Sequence, residues 1–243
     1  MPTIKNFLIL VMLLFSINPT LKAQKLSVTN NTLSAQEKSI ITISSVTAKG
    51  DLVKLKKELN AGLESGLPIN KIKECIVHAY AYCGFPRSIR GLQTFMEVLD
   101  DRKSKGIKDI EGKAVSEITE TKSKYERGRD NLEKLSGASK DAPKAGYAIF
   151  APEIEVMLKE HLFADLFDRD VLTYAERELV TISVISAIGK AEPMLKSHLN
   201  LSIRNGFTPA QLREFINVIH MSVGEEEAKA AKVVLDEVLK QNK

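Results

Sequence analysis

The chain has 243 residues, a formal net charge of +4 and no tryptophan. Lys and Arg alternate with Asp and Glu instead of gathering on one face, which removes a nucleic-acid-binding reading. The scarcity of aromatic residues argues against a stacking platform for sugars, and only the N-terminus carries a long apolar run.

That N-terminal run has the layout of a secretory leader. Lys5 supplies a positive start, Phe7 to Ile17 is apolar except for Ser16, and Asn18 and Pro19 break it. Leu21-Lys22-Ala23-Gln24 then offers cleavage after Ala23. The run is short for a membrane span, so a cleaved signal peptide is expected, with an uncleaved anchor as the alternative. No cysteine follows it, so no lipid anchor is proposed. The expectation is a periplasmic or secreted bacterial protein with no stable membrane anchor after cleavage. Removal of residues 1–23 takes away Lys5 and Lys22 and no acid, lowering the charge from +4 to +2.

Beyond the leader, apolar residues recur at helical spacing and strand-like alternation is hard to find, so the fold class is all-α. Ser34, with Glu37 three residues on, starts a helix that Gly50 ends. A second helix covers Leu52 to Glu64. A third opens near Pro68 with Ile72, Cys75, Ile76, Ala79 and Tyr80 on its apolar side, up to Gly84. Pro86 starts a fourth, with Leu92, Phe95, Met96 and Leu99 facing inward. Cys75 and Cys83 lie on one helix about 12 Å apart along its axis. A disulfide needs Cα atoms within roughly 7 Å, so two buried thiols are expected, with an intersubunit bridge as the other option.

Residues 100–146 carry dense charge and a thin apolar stripe. They predict a connector, in which Tyr125 to Leu135 forms a solvated helix and Gly137 to Gly146 a loop. Five further helices follow: Pro152 to Phe167, Thr173 to Gly189, Glu192 to Asn205, Thr208 to Val223 and Glu225 to Lys240. The two helical sets are copies. The stretch from Leu33 lies over the stretch from Leu172 without a gap. With one residue inserted in the second copy, Leu59, Gly66, Glu74 and Gly84 fall on Leu199, Gly206, Glu214 and Gly224. Such a repeat predicts a pseudo-twofold helical bundle with a shared core. The expected organisation is a leader at 1–23, an N-terminal repeat at 24–100, a charged helical connector at 101–146 and a C-terminal repeat at 147–243.

Arg177-Glu178-Leu179-Val180, then His198, then Asn205-Gly206-Phe207-Thr208-Pro209, resembles the carboxymuconolactone decarboxylase family. So does the first copy's Ser65-Gly66 stretch running to His78, Tyr82, Gly84 and Pro86. The resemblance covers about residues 33–99 and 121–240. It implies the helical bundle of that family and of alkyl-hydroperoxidase-D proteins, and assembly as a ring or trimer, hence a homo-oligomer. The peroxidase branch places a Cys-x-x-Cys at the start of the helix bearing its histidine. Here that region has no cysteine, so thiol peroxidase chemistry, which needs a thiolate, is rejected.

The resemblance also places Glu178 and His198 where the family keeps its acid and histidine. Decarboxylation beside a carbonyl leaves an enolate-like carbanion that must be stabilised and protonated, and His198 is a suitable acid near neutral pH. Glu178 and His198 fall within about one helical turn of each other across a hairpin. A surface acid and a satisfied interior histidine is the competing interpretation. His220 is read as packing and His161 as solvated. The four histidines have no metal-ligand spacing, so neither a metal nor a cofactor is expected.

The copies differ in a complementary way. The first has Ser39 and Glu58 where the second has Glu178 and His198. The second has Val218 and Ser222 where the first has His78 and Tyr82. Two explanations stand: independent drift, or one composite site made of Glu178, His198, His78 and Tyr82, within a chain or across a subunit boundary. Catalytic candidates are therefore His198, Glu178 and His78, with Tyr82, Arg177 and Arg204 as substrate-binding candidates. The functional expectation is a cofactor-free decarboxylase, or related enzyme, for a small organic acid or lactone. The alternative is a non-catalytic ligand-binding or structural protein that keeps the fold.

Overall fold

A computed structural model describes residues 31–144 and 146–242, so the proposed signal peptide lies outside the described residues. Helix α1 (Ala35–Lys49) begins with the expected capping box: Ser34 accepts from the Glu37 amide while the Glu37 carboxylate accepts from that of Ser34. Helix α2 (Leu52–Glu64) is capped by Asp51. Helix α3 (Ile69–Ser104) is broken at Gly84, whose φ of 81° is open to glycine and costly for a side chain. The arm after Pro86 folds back on the arm before it. Ser88 Oγ donates to the Ile76 carbonyl at 2.8 Å, where a straight helix would separate the two residues by about 18 Å. Phe95 faces inward as expected, but Met96 is 64% exposed, because the returning arm presents only one face to the core.

The second set comprises α4 (Lys124–Ser136), α5 (Gly146–Phe150), α6 (Pro152–Met157) running into π-helical turns at Leu158–Leu166, α7 (Tyr174–Ile188), α8 (Glu192–Arg204), α9 (Pro209–Val223) and α10 (Glu225–Gln241). Thr173 with Glu176 and Thr208 with Gln211 form the expected capping boxes. No strand occurs among the described residues, and no described helix is long and apolar enough to cross a membrane.

Helices α1 and α7 pack against each other at the centre, and each is enclosed by its neighbours. Residues 177–187 of α7 are all buried, as expected of a helix without a solvent face. The repeats interlock: α3 of the first packs on α7 of the second, and α9 of the second packs on α1 of the first. One continuous apolar core results, running from Leu33 through Ile43, Leu59 and Phe95 to Val184, Phe215 and Val238. The expected disposition of the thiols holds for Cys75, which is fully buried, while Cys83 is half-buried, and both are free. Burial pushes the Cys83 thiol up to about 11, so it is not a reactive thiolate at neutral pH. His220, expected to pack, is exposed on α9, because its helix turns that position away from α1.

The segment expected to be a solvated connector is partly a core element. Leu135 of α4 is fully buried against Leu162, Phe163, Leu166 and Phe167, forming a second, smaller apolar cluster. Asn131 is buried too, and its amide donates to the Phe163 carbonyl at 2.8 Å. Three carbon-rich side chains of the π-helical turns thus compensate for the thin stripe on α4. The chain after α3 is also anchored. The carbonyls of Ile110 and Glu111 accept from the amides of Ile69 and Asn70, capping α3 where Pro68 offers no side-chain acceptor. Arg102 holds that turn through a two-pronged pair with Asp109 at 2.9 and 2.8 Å.

Gly128 fixes how closely α4 can lie on the π-helical turns. A Cβ there would stand 1.8 Å from the Lys159 carbonyl oxygen, closer than atoms can approach. Gly128→Ala should therefore push α4 outward and destabilise the protein by about 1–3 kcal/mol. Urea denaturation measures the loss, and limited proteolysis should show earlier cleavage within residues 105–145. An unchanged midpoint and cleavage pattern would contradict this packing.

Candidate functional site

The expected acid and histidine meet. Thr173 sets the start of α7 and Gly189 ends it, and α8 then returns so that His198 faces Glu178. His198 Nδ1 lies 2.8 Å from Glu178 Oε2. The carboxylate is fully buried and the imidazole side chain is 15% exposed. A carboxylate can only accept, so the contact places a proton on Nδ1. Nε2 has no hydrogen-bond partner among the described residues.

Helix α3 brings the first repeat into the same place. Tyr82 stands edge-on to His198 with ring centroids 5.9 Å apart, and His78 lies 5.6 Å from the same Tyr82 ring. The two histidine rings are thus joined through one aromatic ring within a single chain. His78 is fully buried, with Nε2 3.1 Å from the Thr181 hydroxyl and Nδ1 3.1 Å from Arg177 Nη1. Its pKa is held well below 6.5, first by burial and then by the charges of Arg177 and His198. Burial, reinforced by the Glu178 charge, pushes the Tyr82 phenol far up, while the nearby Thr181 hydroxyl opposes the shift. Both groups are therefore neutral at physiological pH.

Arg177, expected to bind substrate, is closed off in this arrangement. It is fully buried, and its Nη2 donates to Glu74 Oε1 at 3.0 Å and to the Arg169 carbonyl. Phe167 covers it, with the guanidinium carbon 5.5 Å from the ring centroid. Glu74 in turn accepts both prongs of Arg169 at 2.9 Å. The cation expected to receive a carboxylate is thus neutralised behind His78. Arg204 is also misplaced: it is exposed at the end of α8 and lies against Gly137, because six residues of helix carry it about 9 Å along the axis from His198. Tyr82 is in the site, but its hydroxyl is buried and points away from solvent.

Three buried polar atoms without a hydrogen-bond partner among the described residues belong to this cluster: Glu178 Oε1, Tyr82 Oη and Arg177 Nε. Each such atom costs about 1–3 kcal/mol, so their concentration in one cluster is a feature that packing alone does not reward. Glu74, Thr181, Arg169 and Phe167 were not among the expected site residues. A signal for the first was present, since Arg177 over Lys38 and Glu74 over Glu214 repeat a charge pair in both copies.

His161 lies apart from the cluster. It is half exposed, as expected, and contacts Tyr80 and Asp165. A groove of about 810 Å3 also lies elsewhere, between α4 and the chain leading into α6, and touches α8 at Ser197.

The neutral, buried His78 makes stability depend on pH. An unfolded His78 takes up a proton as the pH falls through about 6.5, whereas the folded one does not. The unfolded state then binds more protons, so stability falls with decreasing pH by up to about 1.4 kcal/mol per pH unit. His78→Gln should flatten this acid limb between pH 6.5 and 5, roughly one to two units of the histidine range. Urea unfolding at stepped pH tests this, and an equally steep limb in the variant would refute it.

Comparison with known proteins agrees with this geometry. The carboxymuconolactone decarboxylase family model matches residues 20–95 and 152–237, together more than half of the chain. The second match starts after α4, so the family likeness is shorter there than the expected 121–240. No curated protein matches the chain. Two matched regions coincide with two interlocked helical repeats that hold an acid–histidine pair, and the chain belongs to the carboxymuconolactone decarboxylase family.

Proposed function

We propose that the protein is a cofactor-free decarboxylase, or related enzyme, acting on a small organic acid or lactone, with His198 as its acid. The observation that carries this reading is the buried Glu178–His198 contact at 2.8 Å, which leaves Nε2 the one ring nitrogen without a partner. A purely structural ion pair gains nothing from an unpaired Nε2 on a partly exposed ring or from an unpaired Glu178 Oε1.

In this mechanism the bond between the carboxylate carbon and its neighbour breaks, and carbon dioxide leaves. The electron pair passes into the adjacent carbonyl as an enolate. His198, protonated on both nitrogens, gives its Nε2 proton to carbon, and Glu178 stabilises the imidazolium through Nδ1. A proton from solvent restores the imidazolium, so the cycle consumes one proton and releases one molecule of carbon dioxide. No oxidant or reductant is required. The same arrangement could hold a ligand without turning it over, and turnover separates the two readings.

The test is release of carbon dioxide from a panel of carboxylated lactones and β-keto acids. His198→Ala and Glu178→Gln should each lower the rate about a hundred- to ten-thousand-fold, the span of general acid–base catalysis. An unchanged rate in His198→Ala would remove that residue from the mechanism. Binding by the wild type with no turnover across the panel would favour the non-catalytic reading.

A further inference from the structure

The groove between α4 and the chain leading into α6 has the size of a small-molecule site, about 810 Å3. Tyr125, Leu132 and Tyr147 give it an apolar side, and Tyr147 keeps 55% of its surface exposed. Lys159 enters from the π-helical turns, a rare backbone form that recurs at functional sites. Its place is set by Gly128, which lets α4 rest on the Lys159 carbonyl. The ammonium is poorly served there. Its side chain is only 17% exposed, Glu155 Oε1 is 3.9 Å away, and the centroid of the Phe163 ring lies at 5.8 Å. No hydrogen-bond acceptor reaches it among the described residues. Burial lowers its pKa, and the Glu155 charge opposes that shift.

Four cations and three acids line the groove, and their pairing leaves Lys159 over. Arg129 donates to Asp141 at 2.7 Å, and Lys140 turns to Asp130 at 3.5 Å. Glu133 accepts from the Lys140 amide at 3.3 Å. Glu155 is the buried acid of the set, and the Tyr125 hydroxyl donates to it at 3.0 Å. That one carboxylate stands between two lysines, Lys144 at 3.8 Å and Lys159 at 3.9 Å, and hydrogen-bonds to neither. Lys144 is 55% exposed, so water serves it. Lys159 is the cation left for a ligand to satisfy.

We propose that the groove binds a small organic monocarboxylate with an aromatic or other apolar body, its carboxylate on Lys159 Nζ and its body against Tyr125, Leu132 and Tyr147. A carboxylate accepts a strong, charge-assisted bond from an ammonium, which supplies what Glu155 is too distant to give. One surplus positive charge fits a monoanion. A phosphate group brings about two charges and three acceptor oxygens, more than one half-buried lysine satisfies. The site stands apart from the acid–histidine pair and does not rest on the reaction proposed above. Ser197 lines the groove, whereas the next residue, His198, turns to Glu178.

Titration of the full chain with phenylacetate, followed by proton–nitrogen NMR, tests the site, with phenylacetamide as the same shape without the charge. Phenylacetate should saturate in the millimolar range and move the signals of Tyr125, Lys159 and Ser197. Phenylacetamide should bind about tenfold or more weakly, the worth of one hydrogen bond to a charged group. Lys159→Met should lower phenylacetate affinity about tenfold and leave phenylacetamide unchanged, and Lys159→Arg should restore most of the loss. Glu155→Gln keeps an acceptor for Tyr125 and removes the competing negative charge, so it should tighten phenylacetate binding about two- to fivefold. Thermal unfolding confirms that each variant folds. Equal affinity for acid and amide, no saturation, or binding indifferent to Lys159→Met overturns the proposal, as does inorganic phosphate bound as tightly as phenylacetate. Binding at the acid–histidine pair is separable, because His198→Ala removes it and leaves groove binding in place. Shifts confined to His198 and Tyr82 overturn the groove site while leaving the proposed reaction intact. If the groove binds as described but no acid is decarboxylated, the proposed reaction fails and the groove site stands.

Discussion

The structure depends on a charge pair that joins the two repeats. Arg177 and Glu74 are both almost fully buried, one on α7 and one on α3, and they meet at 3.0 Å. Taking two such charges out of water is costly, and an apolar pair of the same volume would serve stability as well or better. What the pair supplies is register. Neither partner can move along its helix without leaving a buried charge alone, which costs about 3–5 kcal/mol. The constraint fixes α3 against α7, and with it the position of His78 and Tyr82 relative to Glu178 and His198. Glu74 spends its second oxygen on Arg169, and Arg177 its second nitrogen on His78, so the pair is also the root of the polar cluster.

The same register device appears twice, with different burial. Lys38 and Glu214 are 43% and 25% exposed, whereas Arg177 and Glu74 are 0% and 2% exposed. The difference follows from the chain between the repeats. Phe167, at the end of the π-helical turns, covers Arg177 and touches His78 with its ring. No equivalent stretch precedes α1 among the described residues, so its pair stays wet. Burial therefore came to one of two equivalent positions, and it is the one where the acid and histidine stand. In a dry surrounding each electrostatic contact counts for more, and each unpaired polar atom costs more.

Much of this was legible in the sequence, for reasons that can be given residue by residue. Capping boxes and glycine stops are local, so Ser34 with Glu37 and Thr173 with Glu176 marked helix starts correctly. Glu178 and His198 lie on one hairpin, so helical geometry permits their contact, and the family resemblance singles the two out. The meeting with His78 and Tyr82 was only one of two explanations, because it depends on the repeats interlocking, which no local pattern states. The burial of helix α4 is not legible locally because its own apolar stripe is thin. Leu135 is buried only because Phe163 and Phe167, some thirty residues on, supply the rest of that cluster. From the sequence Arg177 is a candidate cation because a carboxylate substrate needs one to receive it. Only the partner on α3 shows that its charge is already matched.

In a symmetric pair of repeats, any improvement to one site must be compatible with the same residues at the other. Here the lines of descent separate cleanly: Ser39, Glu58, Val218 and Ser222 at one position, and Glu178, His198, His78 and Tyr82 at the other. Each repeat holds a different half of the polar set, so the cluster draws on both. The interlocked packing of α3 on α7 and of α9 on α1 is what permits the division, because every pair of halves meets across the repeat boundary.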